Sequence, residues 1–161
     1  MIKMSVLIDS REKLNYFKFL SYNDVETTVK ALRTGDYSII GYEDKITIDR
    51  KRNTNELNLC FALSWKRFYR ELQRMASFDE AYIMCTFPYE DIENFPLNSG
   101  IPKSKWPKLR TSSGFLKKRI REIEEEFPNI KFIFTYSNVE AEEYTYNLLK
   151  AYYDKQTNII E

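Results

Sequence analysis

The stretch TGDYSIIGYEDKITIDRK, residues 34 to 51, reads as two strands joined by a tight turn. Tyr37 to Ile40 and Lys45 to Asp49 carry the apolar and β-branched residues of strands, and Gly41 to Asp44 has the composition of a hairpin loop. Side chains alternate across a strand, so Ile46 and Ile48 enter the core while Asp49 and Lys51 share the opposite face. Pairing of the two strands carries Asp36, just ahead of the first, to the end of the second, near Asp49. Two carboxylates and one amine are thereby expected at one strand end.

Outward from this hairpin, Val6 to Ile8 is a short apolar run that delivers Asp9 at its end. Leu14 to Leu20 is expected as a short helix and Val25 to Val29 as a strand, making three consecutive antiparallel strands with the hairpin. Apolar residues at 61, 65, 68, 72 and 75 predict one helix from Leu57 to Ala76. Glu80 to Thr86 reads as a buried strand, and Phe87 to Ser113, with four of the five prolines, as a long irregular connection. Gly114 to Phe127 is then a charged helix, Ile130 to Thr135 a strand, and Val139 to Tyr153 a helix capped by Ser137 or Asn138, with Tyr144, Leu148 and Ala151 or Tyr152 as its core side. Strands alternating with helices after a meander predict an α/β domain, a mixed central sheet flanked by helices, over residues 1–161.

The composition, 161 residues with 43% hydrophobic and 16% aromatic content, suffices for one packed core. A net charge of +1 says nothing about a polyanionic partner, so only the placement of charge can. Cys60 and Cys85 lack CxxC spacing and read as reduced, buried thiols of an intracellular protein. No signal peptide or membrane span is visible, so a cytoplasmic location is expected, and the abundance of Lys, Asn, Ile and Tyr suggests an AT-rich bacterial or phage genome. The chain has no histidine, which excludes Ser-His-Asp and Cys-His hydrolases, His-ligated zinc and a histidine general base. Carboxylate and metal chemistry remains.

That chemistry suits phosphodiester hydrolysis. Hard carboxylate oxygens bind Mg²⁺ or Mn²⁺ while leaving coordination positions for water and phosphate, and Lys51 can orient the attacking water or stabilise charge on the scissile phosphate. Asp9 adds a third carboxylate if its strand lies beside the hairpin. Clustered carboxylates are costly without a cation, so the set Asp9, Asp36 and Asp49 implies a bound metal.

The motifs Ile8-Asp9-Ser10-Arg11-Glu12, Gly35-Asp36-Tyr37, and Asp49-Arg50-Lys51 followed by Glu56-Leu57 resemble the signature of the XPF-type (ERCC4-domain) structure-selective endonucleases of the PD-(D/E)XK superfamily. Arg67-Phe68-Tyr69, the strand at Ala81, Phe127-Pro128 and the segment at Ala141 continue the likeness over nearly the whole chain. The resemblance implies a restriction-endonuclease-like three-layer fold, a divalent metal, and cleavage of branched or flapped DNA. It further implies catalytic or organising roles for Arg11 and Glu12, DNA contact by Arg50 and Arg67, and a possible homodimer through the C-terminal region. Two departures stand out. Asp49 occupies a position where the family usually has glutamate, and the family's later aspartate falls on Asn55 in strict register or on Glu56 with one residue inserted. A Holliday-junction resolvase, a restriction-type nuclease of the same fold and a noncatalytic DNA-binding or scaffold module are the alternatives.

From Pro102 to Arg121 there are eight Lys or Arg residues and no acid. Lys103, Lys105, Lys108 and Arg110, with Trp106 among them, form a candidate DNA arm in which the cations neutralise phosphates and the indole stacks on an unpaired base. Lys66, Arg70 and Arg74, spaced by four, form a second basic stripe. Little sequence follows the last helix, so no tandem helix-hairpin-helix module is expected, and a dimer, the basic arm or a protein partner would supply the remaining affinity for DNA.

Overall fold

The strand β1 (Met4–Asp9) is buried along nearly its whole length and so requires a neighbour on each side, whereas β2 (Val25–Lys30) is exposed at five of its six positions. The structure, a computed structural model that describes residues 3–160, meets both demands by placing β2 at a sheet edge. The order is β2-β1-β3-β4-β5-β6, with β3 (Tyr37–Ile39), β4 (Ile46–Lys51), β5 (Glu80–Cys85) and β6 (Ile130–Phe134). β3 is antiparallel to β1 and to β4, while the β2-β1 and β4-β5-β6 contacts are parallel. The antiparallel trio is therefore β1-β3-β4. The expected trio beginning with Val25 to Val29 is corrected, because the buried strand takes the inner position and the polar one the edge.

Helices cover both faces, as the sequence pattern predicts. On one face α1 (Thr54–Phe61), α2 (Trp65–Met75) and α4 (Ser113–Glu126) pack over Ala81, Ile83 and Ile130. On the other, α5 (Asn138–Ile160) packs over Ile46, Ile48 and Met84. Ser137 caps α5 by accepting the Glu140 N–H. Its buried side is Ala141, Thr145, Leu149 and Tyr152, which rotates the expected face: of the residues predicted inward, Tyr152 is buried while Tyr144 is exposed.

Two predicted helices differ. Residues 57–76 form two helices with a break at Ala62 to Ser64, although no glycine or proline marks it. The side chain of Arg119 on α4 donates to the freed Phe61 carbonyl at the end of α1, and its guanidinium lies 3.8 Å from the centre of the Trp65 ring, so partners distant in sequence stabilise the interruption. The connection 87–113 holds a short helix, α3 (Glu90–Glu93), and a 3-10 turn at Lys103–Lys108.

Leu14 to Leu20 is not helical at all. Phe17 and Phe19 are buried while Leu14 and Leu20 are exposed, a spacing of two that a helix cannot satisfy. Asn15 and Phe19 adopt positive φ angles, and the backbone finds partners outside the segment. Phe17 N–H donates to the Tyr37 hydroxyl, and the N–H groups of Lys18 and Phe19 donate to the Glu142 carboxylate. Arg50 donates to the carbonyls of Leu14 and Asn15, while its Nε reaches Glu12 at 2.7 Å. Glu12 in turn accepts the Tyr37 hydroxyl.

Arg50 is only 4% exposed and Glu12 is its counter-charge, so removing the guanidinium leaves a largely buried carboxylate without its counter-ion and the Leu14 carbonyl without its side-chain donor. Arg50→Met should lower unfolding free energy by about 3–5 kcal/mol in urea denaturation and open the 13–20 segment to proteolysis. A loss below about 1 kcal/mol would show that the ion pair does not anchor this segment.

Candidate active site

Three strand ends meet through backbone bonds. The Asp9 N–H at the end of β1 donates to the Asp36 carbonyl at 2.8 Å, and the Asp36 N–H donates to the Ile48 carbonyl of β4 at 2.8 Å. The turn between them needs Gly35, whose φ is +73° and whose missing Cβ would lie 1.9 Å from Thr47 Oγ1. The Arg50 N–H then fixes the Asp36 carboxylate by donating to Oδ2 at 2.7 Å.

Alternation along β4 turns Asp49 and Lys51 to the α2 side, 5% and 8% exposed. Lys51 Nζ lies 2.9 Å from Asp49 Oδ2 and 5.3 Å from the centre of the Phe68 ring. The approach to Oδ2 lacks the alignment of a hydrogen bond, and that buried oxygen has no other partner. The acid pair and amine expected from the sequence thus stand together.

Asp36 and Asp49 form the shared wall of two clefts. One, of about 260 Å³, continues past Arg11, Glu12, Lys51 and Glu56. The other, of about 340 Å³, runs along Arg33, Arg67, Arg70, Glu71 and Arg74. Burial, reinforced by the charges of Asp49 and Glu12, holds the Asp36 carboxyl well above the usual carboxylate range despite the Arg50 N–H. Glu71 is also raised, by burial and then by Asp49, with Lys51, Arg74 and the Gly35 N–H acting in the opposite direction. Burial is the largest single influence on Lys51 and opposes its charge, but Asp49, with smaller help from Cys60 and Asp36, outweighs it and holds the amine well above its ordinary value.

The other candidates divide. Asp9 is turned onto Arg11, whose Nε and Nη2 lie 3.0–3.3 Å from its oxygens, and it also accepts the Leu32 N–H. Among the described residues no three His, Cys, Asp or Glu side chains are grouped to hold a metal, so Asp9 does not complete a trio here. Arg50 and Glu12, both at the wall of the first cleft, form an ion pair with each other, and Arg50 is only 4% exposed. Arg67, Arg70 and Arg74 line the second cleft, and Lys66 does not. Glu56 lines the first cleft, where it accepts from Arg52, while Asn55 faces a separate groove with Lys105 and Lys108. Trp106 is held in place by its N–H, which donates to the Ile101 carbonyl, and Lys103 Nζ lies 5.8 Å from the centre of its ring. Lys103 and Arg110 are exposed on the same connection.

Glu71 and Arg33 were not legible as site residues. Glu71 follows Arg67 by one helical turn, which would have placed it on the arginine face of α2. Arg33 lies in a loop, where no periodicity aims a side chain.

The ERCC4 domain model matches residues 8–148. No curated protein matches the sequence. Among solved structures, XPF from Aeropyrum pernix is similar with a TM-score of 0.66 and 17% identity, over 96% of this chain and 68% of that one. XPF from Aeropyrum pernix in complex with DNA gives a TM-score of 0.63 and 17% identity, over 95% and 66%. At that identity the likeness establishes the restriction-endonuclease-like arrangement of sheet and helices.

The folded-state pKa of Asp36 lies above its unfolded value, so its contribution to stability is fully present below the unfolded pKa and is lost as pH rises through the folded one. Without divalent metal, Asp36→Asn should therefore be more stable than the native protein at pH 7, on the order of 1–2 kcal/mol, and gain little near pH 4. Thermal and urea unfolding at both pH values measures this, and equal stability at pH 7 would contradict the electrostatic assignment.

Proposed function

We propose that this chain, which belongs to the ERCC4 domain family, is a divalent-metal-dependent endonuclease that hydrolyses phosphodiester bonds in branched, flapped or junction DNA. The observation that carries the reading is the convergence of Asp36, Asp49 and Lys51 on the wall between two clefts, one of them lined by arginines. The similarity to an XPF structure in complex with DNA supports the choice of polymer.

The residues fit a hard cation. Asp49 Oδ2 is buried with only the poorly aligned Lys51 ammonium beside it, at 2.9 Å, and Asp36 is a second carboxylate whose ionisation Asp49 opposes. A divalent cation satisfies both conditions. Asp36 and Asp49 would hold Mg²⁺ or Mn²⁺, and Asp9 would join them only by exchanging its Arg11 contacts. The bound ion would activate a water and neutralise charge on the phosphate.

The remaining work falls to the chain's own groups. Lys51 stays protonated, so it acts as a donor toward negative charge developing on the phosphate and not as a base. Arg67, Arg70 and Arg74 neutralise neighbouring phosphates and set the strand across the acid pair. Arg11 holds Asp9 and reaches the first cleft with a largely exposed side chain, available to a phosphate entering there.

Purified protein incubated with labelled flap, four-way junction and duplex DNA should cut in Mn²⁺ and be inert in EDTA. Asp49→Ala and Lys51→Ala should each reduce the rate by at least about 100-fold. Cleavage that persists in EDTA, or is unchanged in both variants, would defeat the proposal. Symmetric paired nicks in the junction would instead mark a resolvase, and cutting of intact duplex at one sequence a restriction-type enzyme.

Binding measured in EDTA over a salt series tests the arginine wall separately. Arg67→Ala and Arg70→Ala should each weaken DNA binding and lower the slope of log affinity against log salt by about one. An unchanged slope would remove them from the phosphate path.

A further inference from the structure

A groove that shares no lining residue with the two acid clefts runs between α1, at Asn55, Asn58 and Leu59, and the connection at Gly100 to Leu109. Glu56 lines the acid cleft and its neighbour Asn55 lines the groove, so the two cavities meet different faces of the same helix. The groove measures about 430 Å³, within the range of small-ligand sites.

Its walls are held by specific contacts. Gly100, at φ +88°, approaches Asn53, the residue that caps α1, so closely that a Cβ would lie 3.2 Å from Asn53 Nδ2. The Trp106 N–H donates to the Ile101 carbonyl at 2.9 Å and closes the 3-10 turn over the groove. Leu59, Ile101 and Leu109 supply apolar surface, and Leu59 is 44% exposed.

Polar groups stand among these apolar walls. Asn58 is 7% exposed, yet its Oδ1 has no hydrogen-bond partner and its Nδ2 reaches only Asn55 Oδ1, at a long 3.5 Å. Burying an unpartnered amide oxygen is costly, and a rotation of the Asn58 side chain toward the groove would let a bound ligand satisfy it. A half-turn of the carboxamide exchanges its donor and acceptor ends. Lys105 and Lys108 add two ammonium groups at the mouth.

We infer that this groove binds a single unpaired nucleotide of the DNA strand, with the base between Leu59 and Leu109 against the Asn55 and Asn58 carboxamides and the adjoining phosphate on Lys105 and Lys108. A flat apolar body with a hydrogen-bonding edge and a neighbouring negative charge is the chemistry that this lining complements. The inference rests on the DNA-cleaving reading and deepens it: the preference for structured DNA comes from an unpaired base captured on another face of the helix whose Glu56 lines the acid cleft. The basic 3-10 turn acts as one wall of a slot.

The test uses the full chain in EDTA, with fluorescence anisotropy on three labelled probes: a single strand, the same strand carrying abasic sites, and a duplex. The native protein should bind the intact strand about tenfold tighter than the abasic one. Leu59→Glu, at an exposed position, and Asn58→Leu should each erase that difference while changing duplex affinity less than about threefold. Asn58→Leu should also melt no lower than the native protein, since it removes a buried unpartnered oxygen, whereas a purely structural asparagine would lower the melting temperature. Equal affinity of native protein for intact and abasic strands, or an intact preference in both variants, overturns the inference. If duplex binding and metal-dependent cutting survive that result, only the groove assignment falls; if no probe binds, the endonuclease reading falls with it.

Discussion

The site depends on a pair of backbone hydrogen bonds, from Asp9 N–H to the Asp36 carbonyl and from Asp36 N–H to the Ile48 carbonyl. They tie the ends of β1, β3 and β4 to one point, so the positions of Asp36 and Asp49 are set by the sheet and not by flexible side chains. Gly35 makes the turn possible, and the Arg50 N–H holds the Asp36 carboxylate once it is there. Three successive residues of β4 then divide the labour. Asp49 and Lys51 face the clefts, while Arg50 between them turns to the other side and anchors the segment that follows β1.

This arrangement concentrates charge at a cost to the fold. Burial and the charge of Asp49 oppose the ionisation of both Asp36 and Glu71, and at Glu71 the charges of Lys51 and Arg74 offset only part of that opposition. Sites that hold like charges ready for a ligand are commonly a source of instability in the free protein. The Glu12-Arg50-Tyr37 network lies directly behind the acids and supplies rigidity that the acids themselves do not.

Much of this was legible because it follows from short-period rules. The two-residue period of β4 placed Ile46 and Ile48 inward and Asp49 and Lys51 outward, and the turn at Gly35 put Asp36 beside them. What escaped depended on partners far apart in sequence. The 14–20 segment has the composition of a helix, but Tyr37, Arg50 and Glu142 accept or supply its backbone bonds in an extended form. The break at Ala62 to Ser64 relies on Arg119, 58 residues from the carbonyl it meets. Arg50 and Glu12 belong to motifs that suggested ligand contact, and only the packing around them reveals that they contact each other.

The edge strand β2 has a consequence for the protein in concentrated solution. Its outer side presents unpaired backbone groups along six residues, the geometry that lets strands of separate molecules zip together. Glu26 and Lys30 set opposite charges along that exposed rim, and their hydration discourages such self-association. Neutralising both would leave a Thr- and Val-rich ribbon with little to oppose aggregation, so two side chains that line neither acid cleft guard this edge.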